Sequence, residues 1–347
     1  MTVRPRLAAG WLAIALVTSG CGSDQPAAEP APASSVEVTT TSIDAAPIPQ
    51  PTATEPAPPT TRDPGKITET TIDVGDLVFD AAVAGPEDGD LVVLLHGFPQ
   101  TWHQWRHQIE TLAAEGYRVL APNQRGYSAG ARPPEVADYA LDLVVDDLLG
   151  MVDTLGRDTF HLVGHDFGGA AVWLAAVDHP TRVASMTSVS TPHLAALAQA
   201  LSDPESDQAE RSSYFTTFRA EGSEQLFVAD DGALLRQLYT QAGLEGDDLE
   251  AQLAVLNDVD AMRAALNWYR AGDLGGTELG PVTIPSMYIW SDGDDALGPD
   301  AAVATADFVT GPYRFEVIEG VNHWVPEQAA DEVSALLVAF LDAQPPL

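Results

Sequence analysis

The 347-residue sequence predicts an α/β protein with a mostly parallel sheet flanked by helices and an inserted helical cap. Three observations support this fold class. Short apolar runs such as Leu91–Leu95 have the composition of strands that are buried on both faces. These runs alternate with segments of helical spacing, the order that produces parallel sheets. From Pro192 to about Gly276 the alternation stops, and several helical stretches follow one another without a convincing strand.

The predicted elements begin at residue 67. Thr70–Val74 and Leu77–Val83 alternate like a pair of strands around a Gly75-Asp76 turn. The later strands are predicted at Leu91–Leu95, Arg118–Ala121, Phe160–Val163, Val183–Val189, Ser286–Ile289 and Arg314–Ile318. The helices between them are predicted at Trp102–Glu115, Leu141–Leu155, Gly168–Val177 and Pro326–Leu341. The interruption contains helical stretches at Ala209–Ala220, Asp231–Gln241, Leu249–Val255 and Ala261–Ala271.

These elements divide the chain. Residues 67–191 and 277–347 are predicted to form the α/β core, and residues 192–276 a helical cap. The active sites of open α/β sheets lie at the carboxyl ends of the strands, so we expect the cap to cover that edge.

The first 20 residues have the pattern of a signal peptide. Arg4 and Arg6 precede the apolar run Leu7–Val17, which is too short for a permanent membrane span. Small residues then lead to Cys21, so the segment resembles a bacterial lipoprotein signal, whose cleavage leaves an acylated cysteine. An ordinary secretory signal with an incidental cysteine is the alternative. Lipidation of Cys21 predicts anchoring on the outer face of the bacterial cytoplasmic membrane.

Residues 21–66 are predicted to be a disordered tether between membrane and body. Ser23–Lys66 contains ten prolines, many alanines and threonines, and no aromatic residue. Such a segment buries too little apolar area to offset its ordering entropy. Every later apolar run is shorter than the ~18 residues that a membrane-spanning helix needs.

The charge of the chain excludes one class of partner. Lys and Arg number 16 against 51 Asp and Glu, which gives a formal net charge of −35. Nucleic acid needs clustered cations, so it is excluded as a partner. The single cysteine excludes an intramolecular disulfide. An acidic surface with Lys66 as the only lysine keeps a protein soluble at high salt, so a saline habitat is a hypothesis.

An aspartate occupies the position of a nucleophile. Gly164-His165-Asp166-Phe167-Gly168 joins a predicted strand to a predicted helix and matches a nucleophile elbow, in which glycines permit a tight turn. The Asp166 carboxylate is ionised at neutral pH, so it can attack an sp³ carbon and form an ester without a base. A tight turn with an acidic residue near a helix N-terminus explains this motif alone equally well.

Two segments offer hydrogen-bond donors for an oxyanion. His96-Gly97-Phe98-Pro99 follows the first buried strand, where the loop of an elbow hydrolase contributes one backbone N–H. Phe98 and Phe167 are therefore the candidate oxyanion-hole residues. Their N–H groups would stabilise the charge that develops when water attacks the ester.

The remaining catalytic candidates follow the last two strands. His323 comes just after the last strand, where this architecture places the base. Asp294 follows the preceding strand and is the candidate that orients His323. Asp292 and Asp295 are competing assignments for that acid.

The sequence resembles the α/β-hydrolase fold family, and within it the epoxide hydrolase branch. The resemblance covers about Leu77 to Leu341 and is carried by the stretches LVVLLHGFPQTWHQWRHQ, YRVLAPNQRGYS, FHLVGHDFGGAA and GVNHWVPEQ. That family opens epoxides with an elbow aspartate and hydrolyses the resulting ester with a His–Asp pair. The resemblance implies these roles for Asp166, His323 and Asp294.

The resemblance also implies two cap tyrosines that hold the epoxide oxygen. The segment around Tyr269 matches the second of these closely, and Tyr214, followed by Phe218, matches the first more loosely; Tyr239 is the alternative. A phenol can hydrogen-bond or protonate the alkoxide as its charge develops. Trp102 and Phe218 are predicted to line the substrate pocket.

The predicted function is the opening of a small hydrophobic epoxide by water to a vicinal diol, through a covalent aspartyl ester and without a cofactor or metal. The alternative is a haloalkane or haloacid dehalogenase. It is disfavoured because Phe167 rather than an indole follows the nucleophile, although Trp102 and Trp105 could supply one. A non-catalytic anchored binding protein is the alternative of another class. His103 and His107 have the i, i+4 spacing of metal ligands on a predicted helix, but two solvent-facing histidines explain the pair without a metal.

Overall fold

The computed structural model describes residues 66–272 and 278–347. The predicted signal peptide, Cys21 and the tether up to residue 65 lie outside the described residues, so these assignments stay predictions. Within the described ranges, no helix has both the length and the apolar character needed to cross a membrane.

The core is one eight-stranded sheet. Its strands are β1 (Thr68–Val74), β2 (Leu77–Ala84), β3 (Leu91–Leu95), β4 (Arg118–Pro122), β5 (Phe160–His165), β6 (Val183–Val189), β7 (Ser286–Ser291) and β8 (Tyr313–Ile318). They are ordered β1-β2-β4-β3-β5-β6-β7-β8. The pairs β1–β2 and β2–β4 are antiparallel, and the other pairs are parallel. The predicted fold class is confirmed.

The helices surround the sheet and fill the interruption between β6 and β7. Those of the core are α1 (Arg106–Ala114), α2 (Leu141–Thr154), α3 (Phe167–Asp178), α10 (Pro299–Ala304), α11 (Val325–Gln328) and α12 (Ala330–Leu341). Those between β6 and β7 are α4 (Leu194–Ser202), α5 (Gln208–Arg211), α6 (Tyr214–Arg219), α7 (Glu224–Gln241), α8 (Gly246–Leu256) and α9 (Val259–Ala271). This helical insertion is consistent with a cap.

Strand β3 shows why its apolar run is continuous. Successive side chains of a strand point to opposite faces, so a strand covered on both sides needs apolar residues throughout. Leu91, Val93 and Leu95 pack in a cluster with residues of α2 and α3. Val92 and Leu94 pack in a second cluster with residues of α1 and α12. The two clusters are the two faces of the sheet.

An aromatic cluster joins the cap to the core. Its cap residues include Phe218, Phe227, Tyr239, Trp268 and Tyr269. The core contributes residues from the loops that follow the strands, among them Phe98, Phe167 and Trp324. The cap is therefore seated over the carboxyl ends of the parallel strands, as expected.

Some predicted helices differ in detail. Trp102–Glu115 is not one helix: a 3-10 turn at Trp102–Trp105 precedes α1, and the Thr101 side chain accepts the His103 N–H at its start. Ala209–Ala220 is divided into the short helices α5 and α6. The sequence patterns do not predict helices α4 and α10. Helix α7 begins before the predicted start, and non-helical residues at 229–232 kink it.

Candidate active site

The sharp turn between β5 and α3 presents Asp166. Its backbone has a φ of +51°, a left-handed conformation that is unusual for a residue other than glycine. The turn depends on its flanking glycines: a Cβ on Gly164 would lie 2.4 Å from the Gly168 carbonyl oxygen, and one on Gly168 would lie 2.3 Å from the Leu95 carbonyl oxygen. Strained conformations of this kind cluster at functional sites.

The loop after β3 closes over this carboxylate. The Phe98 N–H donates to Asp166 Oδ1 at 2.8 Å, and the Phe167 N–H also hydrogen-bonds the carboxylate. A Cβ on Gly97 would lie 2.4 Å from Asp166 Cβ, so only glycine permits this approach. Both predicted oxyanion-hole residues are thus brought to Asp166.

A buried histidine and a second aspartate complete the group. His323 Nε2 lies 3.4 Å from Asp166 Oδ2, and His323 Nδ1 lies 3.0 Å from Asp294 Oδ2. Asp294 Oδ1 accepts the N–H groups of Ala296 and Leu297, both at 2.9 Å. Asp294 and His323 are almost fully buried, at 2% and 1% exposure. The two backbone N–H groups therefore hold Asp294 in place, and its Oδ2 orients the imidazole.

Asp292, one of the two competing acids, has another partner. Asp292 is exposed, and its Oδ1 accepts the Gly320 N–H at 2.7 Å. Asp294 hydrogen-bonds the His323 ring at 3.0 Å and so positions the base, whereas Asp292 binds the backbone of Gly320.

The surroundings of Asp166 and His323 shift the pKa of each group. Burial favours a neutral Asp166, but the hydrogen bond and charge of His323 and the Phe167 N–H outweigh it and lower the pKa of this carboxyl. Burial also favours a neutral His323, yet the charge of Asp294 and the hydrogen bonds from Asp166 and Asp294 raise the pKa of the imidazole well above its ordinary value. The two neighbouring carboxyl groups therefore favour the protonated form of the imidazole.

A small cavity opens beside Asp166, between the core and the cap. It is lined by Asp166, Phe167, Ala170, Thr191, Leu194, Leu197, Tyr214, Phe215, Tyr269 and Leu297. The space open to the centre of a water molecule is about 20 Å³, room for little more than one water. Apart from the carboxylate, one threonine and two phenols, its walls are apolar. Such walls suit an apolar organic molecule, which needs the side chains or the cap to move before it can enter.

Both predicted tyrosines line this cavity. Tyr214 on α6 and Tyr269 on α9 both line it, because α6 packs against α9. Burial, and then the nearby charge of Asp166, raises the pKa of both hydroxyls well above the ordinary value, so both stay protonated at any physiological pH. Two protonated phenols therefore belong to the wall of this cavity.

Tyr239 and Phe218 lie outside the cavity lining. The Tyr239 hydroxyl donates to the Pro99 carbonyl at 2.7 Å, so it is committed to the backbone. The Phe218 ring packs behind both cavity tyrosines, with ring centres 5.0 Å from Tyr214 and 5.0 Å from Tyr269. Phe218, which the sequence predicts in the pocket, is therefore not in the wall of this cavity but supports its two phenols.

Trp102 also lies elsewhere. The 3-10 turn after the oxyanion loop directs it into a different cleft, lined by residues of β1, β2 and α8, where its side chain packs against the sheet face that α1 and α12 cover. Trp105 is fully buried in that same layer. Trp102, which the sequence predicts in the substrate pocket, is not among the residues that line the cavity beside Asp166. Among the residues described as lining the cavity, none is a tryptophan.

The other histidines have structural contacts. His96 Nε2 accepts the Gln124 N–H at 3.0 Å, and burial lowers its pKa to about 3. His165 Nε2 lies 2.9 Å from the His323 carbonyl oxygen, and burial lowers its pKa to about 4. His103 pairs with Asp248 of the cap at 2.8 Å. No group of three metal-ligating side chains occurs within residues 66–272 and 278–347.

Most residues of the cavity wall are not predicted from the sequence. Leu194 and Leu197 come from the unpredicted helix α4, Leu297 from the loop after Asp294, and Phe215 from α6. These are ordinary apolar side chains whose spacing carries no chemical signal. Only the tertiary fold brings them to Asp166.

The fold and this arrangement agree with comparisons to known proteins. The family model of the alpha/beta hydrolase fold matches residues 90–330 of this chain. That span is more than two thirds of the sequence and contains the elbow, the oxyanion loop, Asp294 and His323. The chain therefore belongs to the α/β-hydrolase fold family.

Individual relatives narrow this to one branch. Epoxide hydrolase A of Mycobacterium tuberculosis (strain ATCC 25618 / H37Rv) is 30% identical over 323 residues, which cover 80% of this chain and 98% of that protein. Epoxide hydrolase 4 of Mus musculus is 31% identical over 277 residues, 76% of each chain. A crystal structure of epoxide hydrolase A from Mycobacterium thermoresistibile superposes with a TM-score of 0.71 at 26% identity, covering 81% of this chain and 100% of that one. The chain is an enzyme of the epoxide hydrolase branch.

Proposed function

We propose that this enzyme opens small apolar epoxides to vicinal diols through a covalent ester on Asp166. One observation carries the proposal: the Asp166 carboxylate, which is paired with the His323 imidazole, lines one largely apolar cavity together with the phenols of Tyr214 and Tyr269. The names of the relatives, which call those proteins epoxide hydrolases, support the same substrate class.

The first step is ring opening. Asp166 Oδ1 is held by the Phe98 N–H, so Oδ2 is the oxygen left to attack a ring carbon. The carbon–oxygen bond of the ring breaks as the ester bond forms, and the electron pair goes to the epoxide oxygen. Tyr214 and Tyr269 hold that oxygen by hydrogen bonds, and one of them gives it a proton. An alkoxide is a much stronger base than a phenolate, so this proton transfer is favourable.

The second step is ester hydrolysis, and it requires a neutral His323. In the resting enzyme Asp166 and Asp294 together favour the imidazolium. Esterification removes the charge of Asp166, so the pKa of His323 falls once the intermediate forms. The imidazolium then gives up its proton, and the phenolate left by ring opening takes one up, so that a neutral imidazole faces a restored phenol. The imidazole takes a proton from water, whose oxygen attacks the Asp166 carbonyl carbon. The Phe98 and Phe167 N–H groups stabilise the resulting oxyanion; as it collapses, the ester bond to the diol oxygen breaks, His323 returns its proton to that oxygen, and Asp166 is again a carboxylate.

Dehalogenation is the outcome that a first experiment must separate from epoxide opening. Purified enzyme is incubated with styrene oxide, with short alkyl epoxides and with haloalkanes, and both diol and halide are measured. The proposal predicts diol from at least one epoxide. Halide release without diol would overturn it, and neither product across a broad panel would favour a binding protein.

We also propose that the enzyme is held at the cell envelope through a lipid on Cys21. The proposal rests on the signal-like sequence alone. It predicts that the full chain, expressed in a bacterium, incorporates radiolabelled palmitate and sediments with membranes. Cys21→Ala should lose both properties. A wild-type chain without label would contradict the proposal.

A further inference from the structure

Each residue of the oxyanion loop, here Gly97–Thr101, is held by a side chain or aromatic ring from elsewhere. The Gly97 N–H donates to Gln104 Oε1 at 3.3 Å, and Gln100 Nε2 donates to Glu327 Oε1 at 3.1 Å. These two partners belong to the core. The partners of Pro99 and Thr101 belong to the cap, and Phe98 contacts both parts.

Two cap side chains hold the backbone of this loop. The Tyr239 hydroxyl of α7 donates to the Pro99 carbonyl at 2.7 Å. Gln252 Oε1 of α8 accepts the Thr101 N–H at 2.8 Å. Tyr239 and Gln252 are fully buried, at 0% exposure each, so water does not compete with these bonds. They bind the loop backbone at Pro99 and Thr101, one and three residues after Phe98, whose N–H donates to Asp166.

Phe98 itself belongs to both parts of the molecule. Its N–H donates to Asp166 Oδ1, while its ring lies in the aromatic cluster of the cap. The ring centre is 5.1 Å from Phe218, 5.6 Å from Phe227 and 5.3 Å from Tyr269. A shift of the cap would therefore act directly on the residue that supplies the oxyanion donor.

We infer that Tyr239 and Gln252 are positioning residues for the oxyanion hole: the seated cap sets the Phe98 N–H in place for ester hydrolysis. Neither touches the substrate cavity. The inference rests on the proposed function, since the oxyanion arises only when an ester is hydrolysed.

The two chemical steps should respond differently. In ring opening Asp166 is a carboxylate, and an N–H on Oδ1 orients it without gaining strength as the reaction proceeds. In hydrolysis the same oxygen acquires a full negative charge in the transition state, where a preorganised donor counts most. Misplacing the Phe98 N–H should therefore slow hydrolysis more than alkylation.

The test is a single-turnover experiment on Tyr239→Phe and Gln252→Leu. Alkylated and free enzyme are followed by rapid quench and intact-protein mass, with an epoxide that the wild type accepts. We expect ester hydrolysis to slow about fivefold in each variant, the factor that one neutral hydrogen bond is typically worth. The alkylation rate should change less than twofold, so ester accumulates. Gln252→Glu, which keeps an acceptor for the Thr101 N–H, should recover part of the loss.

Tyr139→Phe is the matched control. Tyr139 is also buried, at 1% exposure, and its hydroxyl also donates to a proline carbonyl, that of Pro133 at 2.8 Å. Its removal should leave both rates within twofold of the wild type. The inference is overturned if the cap variants hydrolyse the ester as fast as Tyr139→Phe does, or if they only raise KM. A wild type that forms no ester with any epoxide would instead refute the proposed function.

Discussion

Replacing Asp294 with Asn tests how the base is oriented. Asp294 Oδ1 accepts two backbone N–H groups at 2.9 Å, so the oxygen of the Asn side chain stays there and its NH₂ turns toward His323. His323 Nδ1, now 3.0 Å from an oxygen, would face a donor. The imidazole proton must then move to Nε2, the nitrogen that should accept a proton from water.

The size of the effect follows from that wrong tautomer. In another hydrolase triad the same exchange lowers kcat about 10⁴-fold, which corresponds to roughly 5 kcal/mol of activation free energy. We expect Asp294→Asn to slow ester hydrolysis by about 10³- to 10⁴-fold. Ring opening does not need the base, so alkylation of Asp166 should survive and the ester should accumulate.

The assay is intact-protein mass after mixing the variant with an epoxide, together with the rate of diol release. Asp292→Asn is the control, because Asp292 is exposed and contacts the Gly320 backbone instead of the base. It should hydrolyse the ester at nearly the wild-type rate. The reasoning is refuted if Asp294→Asn turns over within tenfold of the wild type, or if Asp292→Asn is the variant that accumulates ester.

Four further outcomes are expected. Tyr269→Phe and Tyr214→Phe should each slow ester formation by about 10- to 100-fold, and the double variant should form no ester, measured by rapid quench; unchanged alkylation would remove the tyrosines from the mechanism. Gly97→Ala should leave the protein folded by circular dichroism but nearly inactive, since the new Cβ would lie 2.4 Å from Asp166 Cβ; an active variant would contradict the tight approach. Burial raises the pKa of Glu327 from 4.5 to about 7, so the folded protein binds this proton more tightly than the unfolded chain does. This preference adds to the free energy of unfolding in full below pH 4.5, and the contribution is lost as the pH rises through 7. Glu327→Gln should flatten that decline, on the order of 3 kcal/mol, in denaturant titrations across this range; an unchanged pH profile would argue against the burial effect. Activity should persist at molar salt if the acidic surface is an adaptation to salt, and its loss there would count against a saline habitat.

Much of the fold follows from local sequence patterns. The run Leu91–Leu95 has no polar residue because its two faces pack under different helices, and that rule predicts a buried parallel strand. The flanking glycines of Asp166 also carry a local signal, because the turn excludes any Cβ at Gly164 and Gly168. The reactive group could therefore be found where short-range geometry dictates the residue type.

The rest depends on contacts between distant segments. Leu194 and Leu297 reach the cavity only through packing of the cap and loops, and apolar residues carry no mark of that role. Trp102 lies in a 3-10 turn and lines a different cleft, and the sequence pattern of a continuous helix does not reveal this placement. The sequence offers Tyr239 as an alternative ligand of the epoxide, but its hydroxyl is 2.7 Å from the Pro99 carbonyl.

The measurement that tests the central claim most directly is a single turnover in ¹⁸O-water. Enzyme in molar excess is mixed with an epoxide, digested, and the peptide that contains Asp166 is analysed by mass spectrometry together with the diol. A covalent ester hydrolysed at its carbonyl carbon predicts ¹⁸O in the Asp166 carboxyl group and an unlabelled diol. Label in the diol with none in Asp166 would contradict the covalent route and mean that water opens the ring directly.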